Sequence, residues 1–248
     1  MGALPGVSLI RINKYLSLCG ITSRRGADTL ISEGKVTIND RTLEERGAVV
    51  DTDHDVVKVD VVEARPVEEK VYVVLNKPAM TMTTLHDPFK RRTVADCLKG
   101  LKHRVYPVGR LDYDAEGVLL LTNDGDLAYC LAHPRYQVPK IYEALVEGKF
   151  TRASGERIKG GIKLEDGATG HAMVSILGYP ADQTRLRLIL TEGRKREVKQ
   201  LCKLVGHPVK WLRRVEFAGI QLKQLKPGQF RRLTRDEIDR LHQMVGLV

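Results

Sequence analysis

The chain has 248 residues, 42% apolar and 29% charged, which is enough to build one large domain or two modest ones around packed cores. No apolar run approaches the roughly 20 residues that a bilayer span needs, and MGALPGVSLIRINKYL lacks the basic, apolar and cleavage segments of a secretory signal. The net charge is +10, and 4 scattered cysteines and 7 scattered histidines exclude a zinc or disulfide framework and suit a reducing cytosol.

Residues 1–8 are small and irregular and are expected to be unstructured. Leu9 to Leu16 reads as a short amphipathic helix with Ile12, Tyr15 and Leu16 at helical spacing, ended by Gly20. Thr22 or Ser23 can cap a second helix to about Ser32, with Ala27, Leu30 and Ile31 inward. Val36-Thr37-Ile38, a turn at Asn39-Asp40 and Arg41-Thr42-Leu43 read as a hairpin, and Val56 to Val59 as a further strand. The strings RINKYL, GITSRR and GKVTIN, on two helices followed by a hairpin, resemble the S-four-type RNA-binding domain. That resemblance implies RNA contact through a helical face carrying Arg11, Lys14, Arg24 and Arg25, and a module spanning residues 9–62.

Residues 63–69, EARPVEE, are polar and contain a proline, so we read them as a linker. Residues 70–248 form the second module. Val71 to Leu75 is a core strand ending at Asn76-Lys77-Pro78, and Thr93 with Asp96 approximates a capping box that opens a short helix to Leu98. Arg104-Val105-Tyr106-Pro107 then leads into VGRLDYDAEGVLLLTNDG, residues 108–125. Its apolar run Val118 to Leu121 is short and bounded by Gly117 and Asn123-Asp124-Gly125, which favours a buried strand. Just before it, Arg110 and Asp112 place a guanidinium and a carboxylate on a loop beside that strand, where chemistry tends to sit. Asp112, Asp114 and Glu116 mimic the start of a calcium loop, but the twelfth position is Asn123 where a bidentate Glu is needed. No metal site is therefore read.

The whole segment resembles the central motif of the pseudouridine synthases, most of all the RsuA/RluB branch that acts on ribosomal RNA. In that family the Asp of this motif is the catalytic carboxylate, which falls on Asp112. Asp124 or Asp126 can start a helix through Leu127 and Leu131, ended at His133-Pro134, with His133 read as a helix-end residue. Lys140 to Val146 is the next strand. Its Lys140-x-Tyr142 matches the family's second motif, which implies that Tyr142 stacks on the target base. Ile158 to Gly178 is read as turns and hairpins, and Arg185 to Leu190 alternates as a half-buried strand.

From Thr191 to Arg235 there are 13 Lys and Arg against 3 Glu, which accounts for the whole net charge and points to a polyanionic partner. Here Val198, Leu201, Cys202 and Val205 form an apolar helical stripe, while Arg196, Lys199 and Lys203 lie on another face. EGRKREVKQLC resembles the family's third motif, which implies that Lys199 pairs with Asp112 and that Val198 walls the base pocket. Many relatives carry Arg at this position, so Lys199 keeps the charge without the fork geometry. Arg194, Lys195, Arg196 and Lys203 read as RNA contacts. So do Arg213 and Arg214, on a strand from Lys210 to Phe217 whose basic residues are expected to lean outward, with Trp211 packing. Thr234 and Glu237 form a capping box for the last helix.

The expectation is an α+β protein: a small RNA-binding domain of two helices and a hairpin sheet, joined to a catalytic domain with a mixed, mostly antiparallel sheet. The resemblance implies an isomerase acting on ribosomal RNA, more RluB-like than RsuA-like and therefore on the large subunit, with no cofactor or metal needed; the free thiols suit the cytoplasm, and a monomer is the default because RNA would cover the basic face. Asp112, Tyr142, Lys199 and Arg110 are the candidate catalytic set, Arg110 filling the space left by the flipped base or gripping a phosphate. The competing readings are a non-catalytic RNA-binding assembly factor and a metal-dependent hydrolase using Asp112 and Asp114.

Overall fold

The computed structural model describes residues 9–247, so the irregular start expected for residues 1–8 lies outside the described residues. These residues form two compact units that divide after Lys70.

In the first unit, β1 (Leu9–Arg11) runs into α1 (Ile12–Leu18) and α2 (Arg24–Ser32). There follow β2 (Val36–Ile38), β3 (Arg41–Thr42), β4 (Val49–Asp51), β5 (Val57–Val59) and β6 (Val62–Glu63). Helix α1 buries Ile12, Tyr15 and Leu16, and α2 buries Ala27 and Ile31, against Val36, Val50 and Val57. Ser23 caps α2 by accepting from Gly26 N at 3.0 Å. Asn39 and Asp40 both take positive φ, 52° and 61°, as a tight two-residue hairpin requires.

Two expectations change here. Leu9 to Arg11 is a strand rather than the first turn of α1, because β4, a segment not recognised in the sequence, pairs with it from Leu9↔Asp51 to Arg11↔Val49. Part of the expected linker also belongs to this unit. Glu63 ends β6, Ala64 is buried and accepts from Tyr15 Oη at 2.8 Å, and Val67 N donates to Leu18 O at 3.0 Å. A proline-containing polar stretch can still dock where its backbone groups find partners.

The second unit is built on a nine-stranded sheet. Its strands and helices are β7 (Tyr72–Lys77), β8 (Tyr106–Pro107), β9 (Glu116–Thr122), α3 (Gly125–Ala132), β10 (Lys140–Glu147) and α4 (Arg152–Gly160). Next come β11 (Ile162–Lys163), β12 (Thr169–Gly170), β13 (Met173–Gly178), β14 (Gln183–Leu190) and α5 (Glu197–Leu204). The chain closes with β15 (Val209–Phe217), β16 (Ile220–Gln221), β17 (Phe230–Arg232) and α6 (Arg235–Val245). The main order is β13-β14-β10-β15-β9-β7-β17, with β16 on β15, β8 on β9 and a separate β11-β12 hairpin. Every pairing is antiparallel except β15 with β9, so the sheet is mixed and mostly antiparallel.

That parallel join is short and sits in the middle of the sheet order. Arg213 faces Glu116 and Arg214 faces Gly117. Gly117 has φ +108°, and a Cβ there would lie 2.1 Å from the Arg214 carbonyl oxygen, so only glycine lets the strands approach. Both faces of β9 are covered, which explains its unbroken apolar run: Leu119 and Leu121 join one core with Val198 and Leu201 of α5, Val118 and Leu120 the other with Leu127 of α3 and Leu241 of α6. Strand β10 alternates buried and half-buried residues along its whole length.

The capping signals correspond to real helix starts. Asp124 accepts from Leu127 N at 3.1 Å, and Thr234 and Glu237 form a reciprocal box on α6. Thr93 and Asp96 do the same, over a single 3-10 turn, Val94–Cys97. Helix α4 stands partly where turns and hairpins were expected. Thr151 caps it, but RASGERIKG buries only Ile158, so it has no apolar stripe to betray it.

Candidate active site

Asp112 lies on the loop between β8 and β9, and that loop is pinned from beneath and from one side. Lys77, the last residue of β7, is fully buried, and its ammonium donates to the carbonyls of Ala115 at 2.7 Å, Pro78 at 3.1 Å and Tyr113 at 3.4 Å. Thr83 fixes the other end, its hydroxyl donating to Leu111 O at 2.7 Å and accepting from Leu111 N at 3.2 Å. Thr81 N donates to Tyr113 O at 3.2 Å. Burial pushes the Lys77 amine down to about 8, against the upward pull of Asp114 and Asp112. The sequence reading passed over Lys77 as the end of a strand. Its signal was a lone cation closing an apolar run before a proline, in a place where a charge must find partners.

Asp112 lines a cleft that is open to solvent. Arg110, Tyr142 and Val198 line it with Asp112. Arg110 is exposed, and Tyr142 is buried apart from its contact with the cleft. Strand β10 directs Tyr142 there by its alternation, and a register shift between Ile141 and Tyr142 sets it opposite Arg214 of β15.

The Lys199 ammonium of α5 is 3.8 Å from Asp112 Oδ2 and in closer contact with Asp114 Oδ1. It therefore serves two carboxylates, where the sequence reading gave it one. Asp114, which the sequence offers only as a metal ligand, is held below the usual carboxylate range: burial would raise it, and the Lys199 hydrogen bond and charge, with a backbone N–H and Arg196, together more than offset this. Among the described residues no cluster of His, Cys, Asp and Glu could hold a metal ion.

The basic residues divide. Lys195, Arg196 and Lys203 are exposed around α5, and Arg11, Arg24 and Arg25 are exposed on the first unit, with Lys14 half-buried. Arg194 is tied to acids, with Nε 2.8 Å from Glu192 and Nη1 3.7 Å from Asp166. Arg213 is half-buried. Arg214 corrects the expectation that it leans outward as an RNA contact on the surface. It is only 2% exposed and points into the sheet, because the bulged register of β15 turns it toward β9 and the cleft. Its Nε donates to Val118 O at 2.7 Å and its Nη1 lies 3.5 Å from Tyr142 Oη. Lys140 lines the same cleft, its ammonium on Val138 O at 2.9 Å and Thr191 O at 3.3 Å. Burial, and then the neighbouring Arg214, push it down to about 8. His133 is the helix-end residue expected, accepting from Arg135 N at 3.2 Å, and Trp211 is half-buried with its indole donating to Glu116 at 3.2 Å.

A cleft lined by the Asp112 carboxylate and the Tyr142 ring, with the Lys199 ammonium beside Asp112, suits nucleophilic or acid–base work on a flat, neutral group. Comparison with known proteins agrees. The model of the RNA pseudouridylate synthase family matches residues 71–204. An uncharacterized RNA pseudouridine synthase of Aquifex aeolicus is 44% identical over 239 residues, 96% of either chain. A ribosomal large subunit pseudouridine synthase B of Bacillus subtilis is 38% identical over 233 residues, 93% of this chain and 95% of that one. A crystal structure of a pseudouridylate synthase, 24% identical, superposes with a TM-score of 0.68 over 94% of this chain and 99% of its own, and shows the same fold. On the family match across more than half its length and the near full-length relatives, the chain belongs to the RNA pseudouridylate synthase family.

Proposed function

We propose that this RNA uridine isomerase acts on a uridine of large-subunit ribosomal RNA, with Asp112 as its catalytic carboxylate. The large-subunit assignment is supported by likeness to the Bacillus subtilis enzyme, whose name states that substrate, along 93% of this chain. The observation that carries the catalytic assignment is the meeting of Asp112, Tyr142 and Val198 in one cleft with the Lys199 ammonium 3.8 Å from Asp112.

A uridine in folded RNA is stacked, so it must swing out to reach Asp112. Arg110, exposed at the cleft mouth, fills the vacated space or grips a phosphate. Tyr142 stacks on the flipped base. Asp112 then acts on the ribose, by covalent attack or by proton abstraction, and the base turns so that carbon five joins the anomeric carbon. The Lys199 ammonium, 3.8 Å away, balances the charge of that carboxylate. Nothing in this rearrangement calls for a redox partner or a phosphate donor. The first unit is an S-four-type RNA-binding module, whose Arg11, Lys14, Arg24 and Arg25 hold phosphates while the second does chemistry, a tethering that raises effective concentration. Lys195, Arg196 and Lys203 extend the phosphate contacts around α5. We place the enzyme in the cytoplasm, acting as a monomer.

The test is release of tritium from carbon five of uridine in unmodified ribosomal RNA, by the parent and by Asp112→Ala, in the presence of chelator. Release by the parent alone is expected. Release by both would remove Asp112 from its role. Release by neither, on RNA that is bound, would leave a non-catalytic binding factor.

A further inference from the structure

We infer that Arg214 is a further catalytic residue, whose unpartnered Nη2 donates to a carbonyl oxygen of the flipped uracil and holds the negative charge the base acquires when its bond to ribose breaks. This rests on the isomerase reading above.

Arg214 is 98% buried, and its Nη2 has no hydrogen-bond partner among the described residues. Its other nitrogens are engaged: Nε on the Val118 carbonyl at 2.7 Å, and Nη1 beside the Tyr142 hydroxyl at 3.5 Å. A guanidinium cannot shed its charge, and a buried one is retained against its desolvation cost only where an acceptor meets it. A purely structural Arg joining β15 to β9 would have its full fork satisfied, or would be replaced by an apolar residue at little cost. Here one N–H pair has no acceptor, on a guanidinium that packs over the Phe217 ring at 4.8 Å and on a side chain that lines the cleft.

The position of that free donor identifies the acceptor. Arg214 is the cross-strand neighbour of Tyr142 and its Cζ lies 6.0 Å from that ring. A base stacked on Tyr142 would lie against this guanidinium, and the acceptors on the edge of uracil are its two carbonyl oxygens. When the bond between N1 and the anomeric carbon breaks, its electron pair stays with the base. The charge spreads over N1 and both carbonyl oxygens. Arg214 remains protonated throughout and transfers nothing. The pair returns to the ribose when carbon five attacks, the carbon-five proton leaves to solvent, and N1 takes one up. A fixed donor aimed at charge that develops only in the transition state is the arrangement that accelerates such a step. Lys140, the second buried cation lining this cleft, adds to the same field.

The test uses an RNA fragment that the parent converts, made with uridine, 2-thiouridine or 4-thiouridine at the converted position and labelled at carbon five. Sulfur is a poorer acceptor than oxygen, so it perturbs the contact without touching the protein. Single-turnover rates are measured for the parent, Arg214→Gln and Arg214→Lys, with RNA affinity measured separately. Arg214→Gln is expected to lower the rate on uridine by on the order of 100-fold at unchanged affinity, and Arg214→Lys by less. One thio position is expected to change the parent's rate and to have no further effect in Arg214→Gln. The inference is overturned if both sulfur substitutions act equally in parent and variant, or if Arg214→Gln converts uridine at the parental rate. Should Arg214→Gln fail to fold, the comparison of parent with Arg214→Lys carries the same coupling. A parent inactive on uridine itself would instead sink the isomerase reading.

Discussion

The Lys199 ammonium stands 3.8 Å from Asp112 and in direct contact with Asp114, so one cation on α5 serves two carboxylates of the same loop. The two acids are not equivalent. Asp112 has 27% of its side chain exposed and lines the cleft, whereas Asp114 has 55% exposed and is absent from its lining. Removing Asp114 frees Lys199 for Asp112; removing Lys199 leaves two carboxylates without their shared cation. Lys199→Met is therefore expected to cost on the order of 100-fold in turnover, and Asp114→Asn less than about 10-fold. Tritium release under single turnover checks both. A larger loss in Asp114→Asn than in Lys199→Met would show that the loop needs Asp114 more than its cation.

Lys77 gives a pH signature. Its folded-state amine is pushed down to about 8, below the ordinary lysine value. Between about pH 8 and 10 the unfolded chain then binds the extra proton, so stability rises with pH across that window. The cost of burying the charge is fully present below pH 8. Lys77→Met removes this contribution to the slope while leaving that of Lys140. It also strips three carbonyls under the loop of their donor, which offsets the relief of the buried charge by about 1 to 3 kcal/mol at pH 7. Denaturant melts of parent and variant from pH 7 to 10 measure both effects, and parallel curves would remove Lys77 from the account.

Gly117→Ala is expected to be among the most damaging single-methyl additions in the chain. The new Cβ would lie 2.1 Å from Arg214 O, and the φ of +108° is strained for any L side chain. The clash is with backbone at the join of β9 and β15, so the strands must part. A loss of about 3 kcal/mol or more is expected, together with activity, since Arg214 and the Asp112 loop flank the join. A thermal melt within about 2 °C of the parent would refute the close approach.

Arg231 and Glu237 tie β17 to the last helix by a two-pronged contact of 2.6 and 2.8 Å, and Glu237 is only 4% exposed. The Arg231 hydrogen bonds hold the Glu237 carboxyl down at about 2, against the upward push of burial. A depressed carboxyl contributes stability that is present above its unfolded value near 4.3 and fades as pH falls toward 2. Arg231→Met is expected to cost about 3 kcal/mol at pH 7 and much less at pH 3. Equal losses at both pH values would show that packing, not charge, explains the variant.

Lys195, Arg196 and Lys203 are exposed around α5, so they are expected to supply non-specific RNA affinity. Replacing all three by Ala should flatten the dependence of binding on salt by about 2 units of logarithmic slope, with single-turnover rate at saturating RNA nearly unchanged. An unchanged slope would move the RNA path elsewhere.

Much of the candidate site could be read from residue order alone. Asp112, Tyr142 and Lys199 sit in motifs whose spacing is local, and local patterns also announced β9, β10, α5 and the caps at Ser23, Asp124 and Thr234. An unbroken apolar run or an alternating one follows from how many faces of a strand are covered, and a cap needs only its own first turn. What tertiary structure decided was each feature set by a partner distant in sequence. Residues 9–11 became a strand because β4 offered its edge, and α4 formed without an apolar stripe to announce it. Lys77 meets carbonyls 36 and 38 residues away, and Lys199 meets Asp114 at a separation of 85. Arg214 reads as one more surface cation in a basic strand. Only the bulged register against β10 and the close approach at Gly117 bury it beside Tyr142. A side chain's charge is written in its residue type, but whether water or protein meets that charge depends on the strand laid beside it.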